Sequence, residues 1–228
     1  MSNPTAVRDQ WGAEHFERSP ADLLSGLPLR PEDAGLLRDI GLPVGPEKAL
    51  ALSLRFENVN IIHRPGKATR LTDAGIEQGK HFPKTGHPEI DAWSDLSQFV
   101  ALGEVPNDFG PGSFFMTRFI CVDGVRGNVW WVYPKLLEGK TSCCLFNASL
   151  PAYLVCLLAY KEFREEWFAL MEEYPDEDDA LNDPGYISRA ERIHKAFLQR
   201  LESADPLGFK EGFWECHAWN EAILMGVG

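Results

Sequence analysis

The chain has 228 residues, 44% of them hydrophobic and 25% charged, enough apolar material for one sizeable core, which excludes a largely disordered polypeptide. Its formal net charge is −12 and its pI lies near 4.9, the wrong sign for gripping a phosphate backbone, which needs clustered Lys and Arg. An acidic chain suits a basic protein partner, although excess charge also serves solubility alone.

From Met1 through Arg8 and Asp9 there is no apolar core segment, so no secretory signal is visible and a cytoplasmic location is expected. Residues 1–19 read as a loose start. Ala21 to Ser25 suits a short turn of helix and Pro31 to Ile40 a longer one, with Pro31, Glu32 and Asp33 at its start and Gly41 at its stop. Beyond Gly45 the period shortens: Leu52 to Phe56 alternates and Val59 to Ile62 resumes the apolar run, giving one or two strands. Lys67 to Pro88 reads as a hairpin or loop. Ser97 to Val105 and the run Ser113 to Val122 are strand candidates. Asp123-Gly124 and Gly127-Asn128 supply turn chemistry before Val129 to Tyr133, and Thr141 to Phe146 follows the loop Pro134 to Lys140. Connections this short imply antiparallel neighbours, since a parallel crossover needs about a dozen residues or more.

Asn147 or Ser149 can cap the helix that follows, with Pro151 tolerated in its first turn. Leu150, Tyr153, Leu157, Tyr160, Phe163, Trp167, Leu170 and Tyr174 then recur at steps of three and four, one continuous buried stripe. Its most hydrophobic part, Leu150 to Tyr160, falls short of the roughly 20 residues a membrane span needs. Tyr186 to Leu201 repeats the spacing at Ile187, Ala190, Ile193, Phe197 and Leu201, so the two helices should pack as a hairpin. Together these elements predict an α+β fold, a central antiparallel sheet flanked by N-terminal and C-terminal helices, as a single domain over 1–228 with 150–228 helical.

Residues with chemistry are scattered. The five cysteines, Cys121, Cys143, Cys144, Cys156 and Cys216, include no Cys-x-x-Cys pair and read as buried reduced thiols. Of the six histidines only His81 and His87 share a loop, a weak metal signal; the adjacent Cys216 and His217 face different ways. No Gly-x-Ser-x-Gly elbow or phosphate loop occurs. The chain is therefore not read as an enzyme, and no catalytic residue, metal or cofactor is assigned.

Two features could meet a partner. Trp130 and Trp131 adjoin in a strand and must face opposite sides; both are covered, or one ring is exposed as an anchor. The run Glu172, Glu173, Tyr174, Pro175, Asp176, Glu177, Asp178, Asp179 holds no basic residue. It is either a solvated loop or a docking edge that attracts a basic partner, with Tyr174 and Tyr186 as anchors.

The order of Gly41-Leu42-Pro43, a strand near Gly103, the Asp123-Gly124 hairpin leading into Trp130-Trp131-Val132-Tyr133, and Leu145-Phe146-Asn147-Ala148-Ser149-Leu150 at a helix entry resembles the SUKH superfamily of Smi1/Knr4-like proteins. It is most similar to the SUKH-4 immunity branch. The resemblance runs from about Leu23 to Leu158, with an echo from Phe213-Trp214 to Glu221. The chain departs from the pattern at Ala148, where a second small polar residue is usual, and in its acidic helical C-terminal half. The resemblance implies a cytoplasmic immunity protein that binds a cognate polymorphic-toxin domain, such as a nuclease or nucleic-acid deaminase, and neutralises it by direct contact. The toxin is expected to be basic, and neither nucleic acid nor membrane is an expected partner. A regulatory adaptor on the same scaffold is the alternative, and a small-molecule site in an aromatic pocket a third.

Overall fold

A computed structural model of the chain describes residues 3–44, 50–54, 57–71, 96–105, 118–135, 140–174, 180 and 182–211. Its elements in chain order are α1 (Pro4–Trp11), β1 (Phe16–Glu17), α2 (Ala21–Ser25), α3 (Pro31–Asp39), β2 (Leu42–Pro43), β3 (Leu50–Leu54), β4 (Glu57–His63), β5 (Thr69–Arg70), β6 (Phe99–Val105), β7 (Arg118–Asp123), β8 (Val129–Lys135), β9 (Lys140–Asn147), α4 (Leu150–Glu173), α5 (Pro184–Ala204) and α6 (Pro206–Glu211). Seven strands build one antiparallel sheet in the order β3-β4-β6-β7-β8-β9, with β5 paired to β6 beside that path. β1 and β2 form a separate two-stranded pair.

The alternation of strand side chains divides the apolar residues between two faces. Val100, Leu102, Ile120, Val122, Val129, Trp131 and Phe146 enter the main core with the helices. Phe99, Ala101, Cys121, Trp130, Val132 and Leu145 join Leu71 in a second cluster on the opposite face. α4 lies over the main-core face. Phe146 stacks on Trp131 with ring centroids 6.0 Å apart and meets Tyr153 edge-on at 5.3 Å.

The expected stripe along α4 is buried from Leu150 through Leu170, and Tyr174 is half-buried at its end. α5 begins two residues earlier than its periodicity implies, because Asp183 caps it by accepting from the Gly185 and Tyr186 amides. The two helices pack as the expected hairpin, with Phe163 stacked on Phe197 at 4.4 Å and Trp167 beside Tyr186 at 6.1 Å. Within residues 1–19, which the sequence reads as a loose start, the described residues from 3 on include the helix α1. Asn3 caps α1, and Val7 and Trp11 are buried in the main core. The reason is an amphipathic turn that periodicity over so short a helix hardly registers.

Strand bounds differ modestly from the sequence reading. Ser97 falls in a 3-10 turn, Leu96–Gln98, ahead of β6, and residues 113–117 of the long apolar run lie outside the described residues. The β7–β8 turn is locked by close backbone approach. A Cβ on Gly124 would sit 1.5 Å from the Pro28 carbonyl oxygen, and Gly124 N–H already donates to Gln98 O at 2.8 Å. At this turn the N-terminal segment and the sheet touch with no room for a side chain.

Candidate partner-binding surface

The β9–α4 junction, the most legible point of the sequence, is structural. Ser149 Oγ accepts from the Ala152 amide at 3.2 Å and so is the cap. Asn147 turns inward instead: its Nδ2 donates to Asp205 Oδ2 at 2.8 Å and to Cys156 Sγ at 3.3 Å. Asp205 Oδ2 also accepts from Ala148 N at 2.7 Å, while Oδ1 accepts from Gly208 N at 2.9 Å. One buried carboxylate therefore ties the sheet, the start of α4 and the start of α6. Burial, reinforced by the Asp205 charge, pushes the Cys156 thiol up to about 12, so it stays a neutral packing group and not a nucleophile.

His63, at the end of β4, is wholly buried between the small sheet and α4. Its Nδ1 lies 2.7 Å from the Pro43 carbonyl and its Nε2 2.7 Å from the Tyr153 hydroxyl. A carbonyl only accepts, so Nδ1 carries the proton and Tyr153 O–H donates to Nε2. Burial lowers the His63 pKa to about 4, against the hydrogen bond that Nδ1 donates to Pro43, and raises that of Tyr153. Both rings are thus neutral and mutually satisfied. Just before α3, Arg30 donates to the buried Asp33 carboxylate at 2.6 and 3.1 Å, yet burial still leaves that carboxyl above its ordinary range.

Trp130 and Trp131 do face opposite sides, and both are covered: 1% and 7% exposed, one in each apolar cluster. Of the two readings of this pair the structure shows the covered one, and neither ring is an exposed anchor, because both faces of the sheet are packed at this strand. Glu172 and Glu173 are exposed on the last turn of α4. Glu173 accepts two hydrogen bonds from Arg189 of α5, at 2.5 and 2.8 Å, which lowers its own pKa and raises that of Arg189. Glu172 makes no ion pair among the described residues. Tyr174 meets Tyr186 edge-on at 5.2 Å, bracing the helix pair. Asp176, Glu177, Asp178 and Asp179 lie outside the described residues, as do His81, His87, Cys216 and His217.

The sequence reading passed over Phe168 and Met171. They are 48% and 45% exposed, one helical step apart on α4, and Arg164 lies over the Phe168 ring at 4.5 Å. Both fall off the buried stripe, which is the signal that could have marked them. Among the described residues, no group of three or more His, Cys, Asp or Glu is placed to hold a metal ion, and no helix is long and apolar enough to cross a membrane.

Buried polar groups brace an α+β scaffold whose long helix turns charge and two apolar side chains outward. The chain belongs to the SUKH-4 immunity protein family, whose sequence model matches residues 3–220. No curated protein and no solved structure matches it.

Proposed function

We propose that this chain is an immunity protein that binds a cognate toxin domain and neutralises it by direct contact, with the toxin acting on nucleic acid as a nuclease or deaminase. The family match over residues 3–220 carries this reading. The charge supports the finer part. A protein of net charge −12 with exposed Glu172 and Glu173 leading into Asp176, Glu177, Asp178 and Asp179 complements a basic surface. A toxin that handles nucleic acid needs such a surface to grip phosphates. Covering it denies the substrate access and requires no reaction by the immunity protein, which would act in the cytoplasm where the toxin's substrate lies.

The test is a pull-down against the C-terminal toxin domains encoded beside the gene, at low and high salt, paired with survival of cells expressing each toxin. A stoichiometric complex that weakens with salt, together with protection, is expected. Absence of both with folded protein would overturn the proposal in favour of a regulatory adaptor.

A further inference from the structure

Phe168 and Met171 stand out against the rest of α4. Every apolar residue of the stripe from Leu150 to Leu170 is buried, whereas this pair faces water, Phe168 about 100° around the helix from Trp167 and Met171 about 100° from Leu170. Exposed Phe and Met separated by three positions are the spacing with which a helix presents anchors to a groove on another protein. The ring of Phe168 is also held in place. The Arg164 guanidinium lies over it at 4.5 Å and hydrogen-bonds back to the Tyr160 hydroxyl at 3.3 Å, a contact that favours the projecting orientation of the ring.

Carboxylates flank the pair along the same face. Glu165 lies one turn before Phe168 and is tied to Lys161 at 2.6 Å. Glu172 lies one turn after and has no ion pair among the described residues. A second copy of the chain is a poor occupant, because two bodies of net charge −12 repel. A basic partner with an apolar groove meets both the anchors and the Glu172 carboxylate.

We infer that the Phe168–Met171 face of α4 is the apolar anchor of the toxin-binding surface, inserted into a groove whose rim is basic and contacts Glu172. This rests on the proposed immunity function and names the contact that carries it. Aromatic and Met side chains of this kind hold a large share of interface energy, while rim charges mainly govern association rate.

The experiment uses the full chain and the purified toxin domain encoded beside its gene, with affinity measured by calorimetry and rates by surface binding. Phe168→Ala and Met171→Ala are compared with Leu207→Ala on α6, which is 50% exposed and far from the acidic run in sequence. Phe168→Ala should weaken binding by about tenfold or more through faster dissociation, and Met171→Ala by a few-fold. Glu172→Lys should slow association and reduce its salt dependence. Leu207→Ala should change neither, and unchanged urea midpoints confirm that all variants fold. Wild-type binding and protection with no loss in Phe168→Ala or Met171→Ala would overturn the anchor while leaving the immunity function standing. Failure of the wild-type chain to bind or protect would overturn the immunity function and the anchor with it. Concentration-dependent dimerisation abolished by Phe168→Ala would assign the face to self-association and refute the inference.

Discussion

Acidification should destabilise this protein through one buried side chain, His63. Its pKa is about 4 in the folded state against 6.5 in the ordinary range. A depressed histidine pKa means that the native state holds the neutral ring while the unfolded state accepts a proton. The stabilisation is therefore complete above pH 6.5 and is lost as the pH falls toward 4. At about 1.4 kcal/mol per unit, the loss totals roughly 3 kcal/mol, most of it gone by about pH 4.5. The figure needs no discount for solvent, since the ring is 2% exposed and its neighbours are the Pro43 carbonyl and the Tyr153 hydroxyl. Urea unfolding of the wild type and His63→Gln at pH 7, 6, 5 and 4.5 isolates the contribution. Gln can donate to Pro43 and accept from Tyr153 but does not titrate, so the wild type should lose about 2.5 kcal/mol of stability relative to His63→Gln between pH 7 and 4.5. Carboxylate titration affects both proteins alike and cancels. Parallel curves for the two proteins over that range would refute a neutral, wholly buried His63.

Tyr153→Phe removes the hydroxyl hydrogen-bonded to His63 Nε2 and should cost about 1–3 kcal/mol in urea unfolding, the cost of stranding a buried acceptor. Asp205→Ala removes the shared acceptor of Asn147 Nδ2 and of the amides of Ala148 and Gly208; a loss of about 3 kcal/mol is expected, with earlier proteolysis at α6 than in the wild type. Gly124→Ala should destabilise by more than about 2 kcal/mol, because the added Cβ meets the Pro28 carbonyl oxygen at 1.5 Å. Gly35→Ala, within α3 and with nothing within 4 Å of the new Cβ, should instead stabilise by about 0.5–1 kcal/mol. Thermal melts of the two variants distinguish the opposite signs.

What the sequence alone determines here is periodic. The steps of three and four from Leu150 to Tyr174 and from Ile187 to Leu201 mark two helices and the faces they bury, because helical geometry repeats every 3.6 residues. The turn chemistry at Asp123-Gly124 and Gly127-Asn128 marks the antiparallel β7–β8 pair for an equally local reason. The order of these signals also sufficed for the family resemblance. Only tertiary structure decided how the polar residues are used. Nothing local in Asn147 says that it turns inward to Asp205, 58 positions away, while Ser149 takes the cap. Nothing in the neighbourhood of His63 announces Tyr153, 90 positions on. Alternation required Trp130 and Trp131 to part, but whether the second face was covered depended on Leu71 and its strand neighbours arriving there. Phe168 and Met171 were legible as residues off the stripe, yet their exposure is a property of what the other elements leave uncovered. Local geometry repeats along the chain and can be read from it, whereas burial and partnership are set by segments that meet only when the chain folds.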